Sequence, residues 1–161
     1  MDSKDLEDME DMDIDILRIL SEDDRVSLRT IAKELNKSPV TIKGHIEKLE
    51  EKGIIKDYGI TINYEKLGFD IIALIELTIS KGKMLEIERD IAEHPNVFAV
   101  YDITGEYDAI VLARFKSRSE LSELVKEINK YEYVIRTNTH LILNVIKEGT
   151  AFANLVTHKK K

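Results

Sequence analysis

Lys37, Ser38, Thr41 and Lys43 fall within the stretch KSPVTIKGHIEKLEEKG, residues 37–53. Hydroxyl and ammonium groups on one short segment suit hydrogen bonds to phosphate oxygens and base edges. They do not form a nucleophile–base pair. The chain has no cysteine, which excludes disulfides and thiol chemistry. Its four histidines, His45, His94, His140 and His158, are far apart in sequence and lack His-x-x-x-His spacing. Glu106 and Asp108 do not make a convincing acid–base pair, and no P-loop or dinucleotide-binding glycine motif occurs. The sequence therefore predicts no catalytic residue, no metal and no cofactor.

The elements that must carry these groups can be read around them. Ser38 is placed to cap a helix, Pro39 suits its first position and Gly53 its end. Ile42, Ile46 and Leu49 share one face of that helix. Ser27 opens a shorter helix with Leu28, Ile31, Ala32 and Leu35 on one side, and Asn36-Lys37 makes a tight turn between the two. Asp13 precedes an earlier amphipathic helix with Ile14, Ile16, Leu17, Ile19 and Leu20. Three short helices with a brief turn before the last have helix-turn-helix spacing. Beyond Gly53, Ile60 and Ile62 alternate with polar residues, which predicts a strand, either a wing or a linker. Tyr64 to Gly68 marks a boundary.

Charge is distributed unevenly. The net charge is −7, yet residues 1–24 carry −9, residues 25–57 carry +3 and the rest −1. A nucleic-acid footprint is local, so an acidic total does not exclude one. The acidic start, MDSKDLEDMEDMD, is not a signal peptide and has no apolar periodicity, which predicts a disordered tail. The apolar runs are strand-sized, so no membrane span is expected, and a cytoplasmic location follows. Charged residues at 34% with abundant isoleucine are compatible with a thermophile.

From Phe69 the pattern changes. Strands are predicted at 71–80, 97–104, 108–115 and 133–146, with helices at 84–93 and 117–130, a split βαββαβ order. Ile71 to Ile75 and Ala109 to Ala113 are apolar at every position, so both faces of the sheet are greasy. Two helices cover one face. The other calls for a second copy in a two-fold dimer or for the N-terminal domain.

This order resembles the Lrp/AsnC (feast/famine) transcription regulators of prokaryotes, in an archaeal-like form. The likeness runs over residues 12–147, through Asp13 to Leu20, Arg25-Val26-Ser27, Ile31-Ala32, Ser38, Leu49-Glu50, Gly53-Ile54-Ile55, Leu67-Gly68, Thr104 to Asp108 and Arg136 to Thr139. The fold class expected is α+β, a winged helix-turn-helix of three helices and a ferredoxin-like βαββαβ domain. The expected domains are an acidic tail at 1–11, the helix-turn-helix at 12–57, a linker strand and hinge at 58–68, the dimerisation and effector domain at 69–147, and a C-terminal tail at 148–161.

The resemblance implies that the helix beginning at Pro39 enters the major groove by its N-terminal end. Ser38, Val40, Thr41 and Gly44 are then the candidates for the groove floor, with Pro39 among the DNA-binding residues, while Arg29, Lys37, Lys43 and Lys48 hold phosphates. The family often has arginine where this chain has His45, a weaker phosphate anchor when neutral. The implied partners are double-stranded DNA with a pseudo-palindromic site, a second copy, a tetramer of dimers and, for an activator, the transcription machinery. The second domain resembles one that binds amino-acid effectors. Gly105 and Tyr107 would lend backbone groups, Asp108 would face an ammonium, and Thr137 and Thr139 would bond a carboxylate or side chain. Two other readings accompany this one: a metabolite-binding oligomeric sensor that no longer touches DNA, and a sirohaem-decarboxylase-like enzyme. The second lacks a cluster of basic and histidine residues.

Overall fold

The computed structural model describes residues 9–80, 82–149 and 152. The chain divides into two units, one of residues 1–61 with 147–161, the other Ile62–Ile146. In the first unit α1 spans Asp11–Glu22, α2 Leu28–Glu34 and α3 Pro39–Glu51. Ile16 and Ile19 of α1, Ile31 and Ala32 of α2, and Ile42, Ile46 and Leu49 of α3 make its core. These are the periodic apolar positions of each helix, so burial follows directly from the 3.6-residue repeat.

The ends of these helices are set by local hydrogen bonds. Ser27 Oγ accepts from Thr30 N at 3.1 Å, and Ser38 Oγ from Thr41 N at 3.0 Å. At the end of α2, Asn36 takes φ 53° and Lys37 N donates to Ala32 O at 2.8 Å. At the end of α3, Gly53 takes φ 66° and Ile54 N donates to Leu49 O at 2.9 Å. Both are Schellman closures, which need a left-handed residue just beyond the helix.

The strand expected between residues 54 and 63 is not formed. Ile60 is 74% exposed and Ile62 is 39% exposed. Alternation prepares two faces, but a strand exists only when its N–H and C=O groups meet a neighbouring ladder. Among the described residues none pairs with this segment in a sheet. Tyr58 Oη instead donates to Glu50 at 2.8 Å. The expected tail at 1–11 lies largely outside the described residues, although Glu10 precedes α1. Phe152 belongs with the first unit, where it borders a groove with Leu17, Leu20 and residues 54–61.

The second unit opens with a 3-10 turn, Glu65–Leu67, and continues as β1 Ile71–Ile79, α4 Met84–Ala92, β2 Val97–Asp102, β3 Ala109–Phe115, α5 Arg118–Ile128 and β4 Val134–Ile142. The strands form one antiparallel sheet in the order β2-β3-β1-β4. Both helices pack on one face. Ala73, Ile75, Leu77 and Ile79 of β1 and Ala109, Val111, Ala113 and Phe115 of β3 are buried against Ile87 and Ile91 of α4 and Leu121, Leu124 and Ile128 of α5. The alternate residues, Ile72, Leu74, Ile110 and Leu112, lie on the other face and are only half-buried. On α4, Leu85 is 61% exposed, and Glu88 is the residue that turns inward beside Ile87 and Ile91.

Candidate functional site

The start of α3 is open. Val40 is 80% exposed, and Lys37, Ser38, Pro39, Thr41, Lys43 and Lys48 are exposed with it. Arg29 on α2 is exposed as well. The Ser38 and Thr41 hydroxyls lie 2.8 Å apart, so each supports the other's orientation while keeping further hydrogen-bonding capacity. Lys43 lies 3.2 Å from Glu47, one turn on, in an exposed pair whose energy is small. A Cβ built on Gly44 meets nothing within 4 Å. This patch of α3 therefore presents an apolar methyl pair, hydroxyls and ammonium groups on a surface without bulk at Gly44.

His45 does not join that surface. Its side chain is 12% exposed, and its Nδ1 lies 2.6 Å from Asp13 Oδ1. The other oxygen of Asp13 accepts from Glu10 N at 3.0 Å, closing the first turn of α1. His45 thus joins α3 to the start of α1. Its expected place among the phosphate contacts is corrected: burial and the Asp13 bond hold the imidazole inside the unit.

The residues expected to meet an effector are divided by the sheet. Gly105 takes φ 134° in the turn between β2 and β3. Asp108 is half-buried, and its carboxylate accepts from Ile79 N at 2.7 Å, which ties the turn to the end of β1. Thr137 pairs in register with Leu77, and Thr139 with Ile75, on the helix-covered side of the sheet. Thr137 shares hydrogen bonds with Asn129 at the end of α5. Tyr107 instead lies under the Arg136 guanidinium, 5.1 Å from the ring centre, with its hydroxyl 3.3 Å from Asn138. The structure brings Tyr107 to Asn138 and leaves Thr137 and Thr139 across the strand from it.

Two groups of polar side chains escaped the sequence reading. One is the open-face cluster of Glu76, Asn138, Arg136 and His140. Its signal is a lone acid in the otherwise apolar run of β1. The other is Glu88, whose Oε1 is buried without a hydrogen-bond partner. Burial, followed by the charges of Asp102 and Asp108, pushes its carboxyl above the usual range. No helix among the described residues is long and apolar enough to cross a membrane, and none of their side chains group as a metal site.

Comparison with known proteins covers both units. A family model described as winged helix-turn-helix DNA-binding matches residues 9–56, and one described as Lrp/AsnC ligand binding domain matches residues 72–152. An uncharacterized HTH-type transcriptional regulator of Pyrococcus furiosus is 45% identical over 140 residues, covering 87% of this chain and 95% of its own. The HTH-type transcriptional regulator FL11 of the same organism is 35% identical over 142 residues, covering 88% and 94%. Among solved structures, a transcriptional regulator of Neisseria meningitidis in complex with L-Met aligns with TM-score 0.80 and 24% identity, covering 89% and 95%.

Proposed function

This chain belongs to the Lrp/AsnC family of helix-turn-helix transcription regulators, and from that premise we propose that it reads DNA through the open start of α3. Ser38, Val40, Thr41 and Gly44 meet base edges, with Pro39 fixing the entry of the helix. Thr41 donates to or accepts from a base, and the Val40 methyls pack on thymine. Arg29, Lys37, Lys43 and Lys48 neutralise phosphates and set the register. The observation that carries this reading is the exposure of the first turn of α3, with Val40 at 80%, on a helix whose Ile42, Ile46 and Leu49 are buried in the core of the unit.

The open sheet face is where a second copy docks, placing two α3 helices about 34 Å apart on a pseudo-palindromic site. Association of such dimers into a larger ring and contact with the transcription machinery are further steps of the same reading. A small effector with amino-acid chemistry acts at the turn of Gly105 and Tyr107. Asp108 holds that turn to β1. The chain works by binding rather than catalysis, in the cytoplasm with its DNA.

Selection of bound fragments from sheared DNA at two salt concentrations, followed by sequencing, tests this. The expected result is one shared pseudo-palindrome, lost with Thr41→Ala and weakened with Lys43→Ala. Removing one phosphate contact lowers the salt slope by about 1. Sequence-blind retention, unchanged by either substitution, would overturn the assignment.

A further inference from the structure

The open sheet face holds a polar group where its pattern calls for an apolar one. Glu76 stands opposite Ile110 on one side and Asn138 on the other, and its neighbour Leu74 stands opposite Leu112 and His140. The Glu76 carboxylate accepts from Asn138 Nδ2 at 2.9 Å and lies 3.0 Å from His140 Nε2. Asn138 Nδ2 in turn lies 3.3 Å from Tyr107 Oη and 2.9 Å from His140 Nε2. Glu76 accepts from both neighbours only when His140 carries its proton on Nε2. These bonds, that to His140 first, hold the Glu76 carboxyl below the usual carboxylate range. In a single chain Glu76 is 21% exposed and His140 53% exposed, so water still reaches the cluster.

The charges around the cluster fit a second copy better than a partner of one sign. Glu76 and Glu106 are matched on this face and its rim by Arg114 and Arg136, and Arg136 bonds Glu106 at 3.1 Å. A balanced patch attracts neither a polyanion nor a basic protein. A two-fold axis lays the patch on a copy of itself, where acids and bases are present in equal number.

We propose that Glu76, Asn138 and His140 are the specificity element of the face on which a second copy docks, and that docking takes up a proton at His140. The proposal rests on the sheet-face dimer put forward above. Covering the face removes the remaining water from an ionised carboxylate, and an anion stripped of water needs a paired cation. An imidazolium on His140 supplies it at hydrogen-bond distance. The other groups facing the cluster are Arg114, Arg136, Glu106, Tyr101 and Tyr107. Side chains of those types keep one charge state between about pH 6 and about pH 8, where histidine ordinarily titrates. Docking raises the proton affinity of His140. The added stability of the dimer is therefore full below the ordinary histidine value and is lost as pH rises through the docked one.

The same cluster gives discrimination. Facing an apolar sheet instead of itself, it would lose water and gain no partner, a penalty that disfavours mixed pairs.

Sedimentation equilibrium of the full chain across about pH 6 to about pH 8 tests the proposal without DNA. A proton affinity raised by one unit at His140 in each of the two copies weakens association by roughly thirty- to a hundredfold over that range. His140→Gln is expected to flatten the profile. The double substitution Glu76→Leu with His140→Leu is expected to dimerise at every pH. When mixed with the wild type, it should form fewer mixed pairs than chance. A wild-type dimer whose constant does not change with pH, and which mixes freely with the double variant, would overturn the proposal and leave the dimer standing. A wild-type chain that is monomeric at every pH would overturn the dimer itself.

Discussion

Glu88 is a carboxylate that the fold holds at a cost. It is 7% exposed, its Oε1 has no hydrogen-bond partner, and the charges nearest in effect are those of Asp102 and Asp108. Its folded-state pKa is raised, so its favourable contribution is complete below the unfolded glutamate value of about 4.3 and is lost as pH rises through the folded value. Glu88→Gln keeps the shape and removes the charge. The variant is expected to melt about 2–4 °C above the wild type at about pH 8, with the gap closing at about pH 4, as read by paired thermal melts. The opposite trend, a gap widening in acid, would show that Glu88 is stabilised as the anion. Glu88 was not legible in the sequence, because the apolar residues of α4 offered Leu85 as readily as an inward position. His45 was read as an outward phosphate anchor for a similar reason. Its partner Asp13 is 32 residues away, and no local pattern announces a contact across two helices.

At the scale of elements, legibility followed the range of the interaction. Ser38, Pro39 and Gly53 specify α3 with neighbours a few residues away, and the observed helix, Pro39–Glu51, begins and ends where those residues place it. The strands of the sheet were legible as well, from the continuous apolar runs Ile71 to Ile75 and Ala109 to Ala113, whose residues alternate in burial from Ile72 onward in β1 and throughout β3. Segment 54–63 alternates apolar Ile60 and Ile62 with polar residues but has no ladder partner, and pairing is not written in one segment alone. Gly44 is the point where helix stability and function pull apart. Glycine inside a helix costs about 1 kcal/mol against alanine, and here a Cβ would meet no neighbour. Gly44→Ala is therefore expected to raise the melting temperature by a few degrees, about 1 kcal/mol. If DNA backbone or bases approach this position closely, the same change lowers affinity for the selected site about tenfold or more, a loss of ~1–3 kcal/mol. Thermal melts together with fluorescence anisotropy separate the two effects. A stabilised variant with unchanged affinity would remove Gly44 from the groove floor.

The whole molecule sets a field as well as a fold. Residues 1–24 carry −9 and residues 25–57 carry +3, so the chain places its strongest negative segment beside the one basic stretch that would meet phosphate. The junction is visible in the structure: Met9 and Glu10 line a pocket with Lys48 and Lys52 of α3 and its exit. Residues 1–8 lie outside the described part, but their charge of −3 is read from the sequence. Exposed charges act over roughly one Debye length, about 8–10 Å at 0.1–0.15 M salt, and Met9, where those acids join the described chain, shares its pocket with Lys48. Non-specific binding depends almost wholly on such charges, whereas specific binding adds base contacts that salt does not screen. A chain beginning at Met9 is thus expected to bind random-sequence DNA about two- to five-fold more tightly at about 0.05 M salt and to match the full chain near 0.3 M. Its affinity for the selected site should rise by less, so the ratio of specific to non-specific binding falls. Anisotropy titrations on both DNAs at the two salt concentrations read this ratio directly. Equal ratios for the two chains would mean that the acidic segment does not screen the bases of α3, and that the net charge of −7 reaches DNA only as a uniform background.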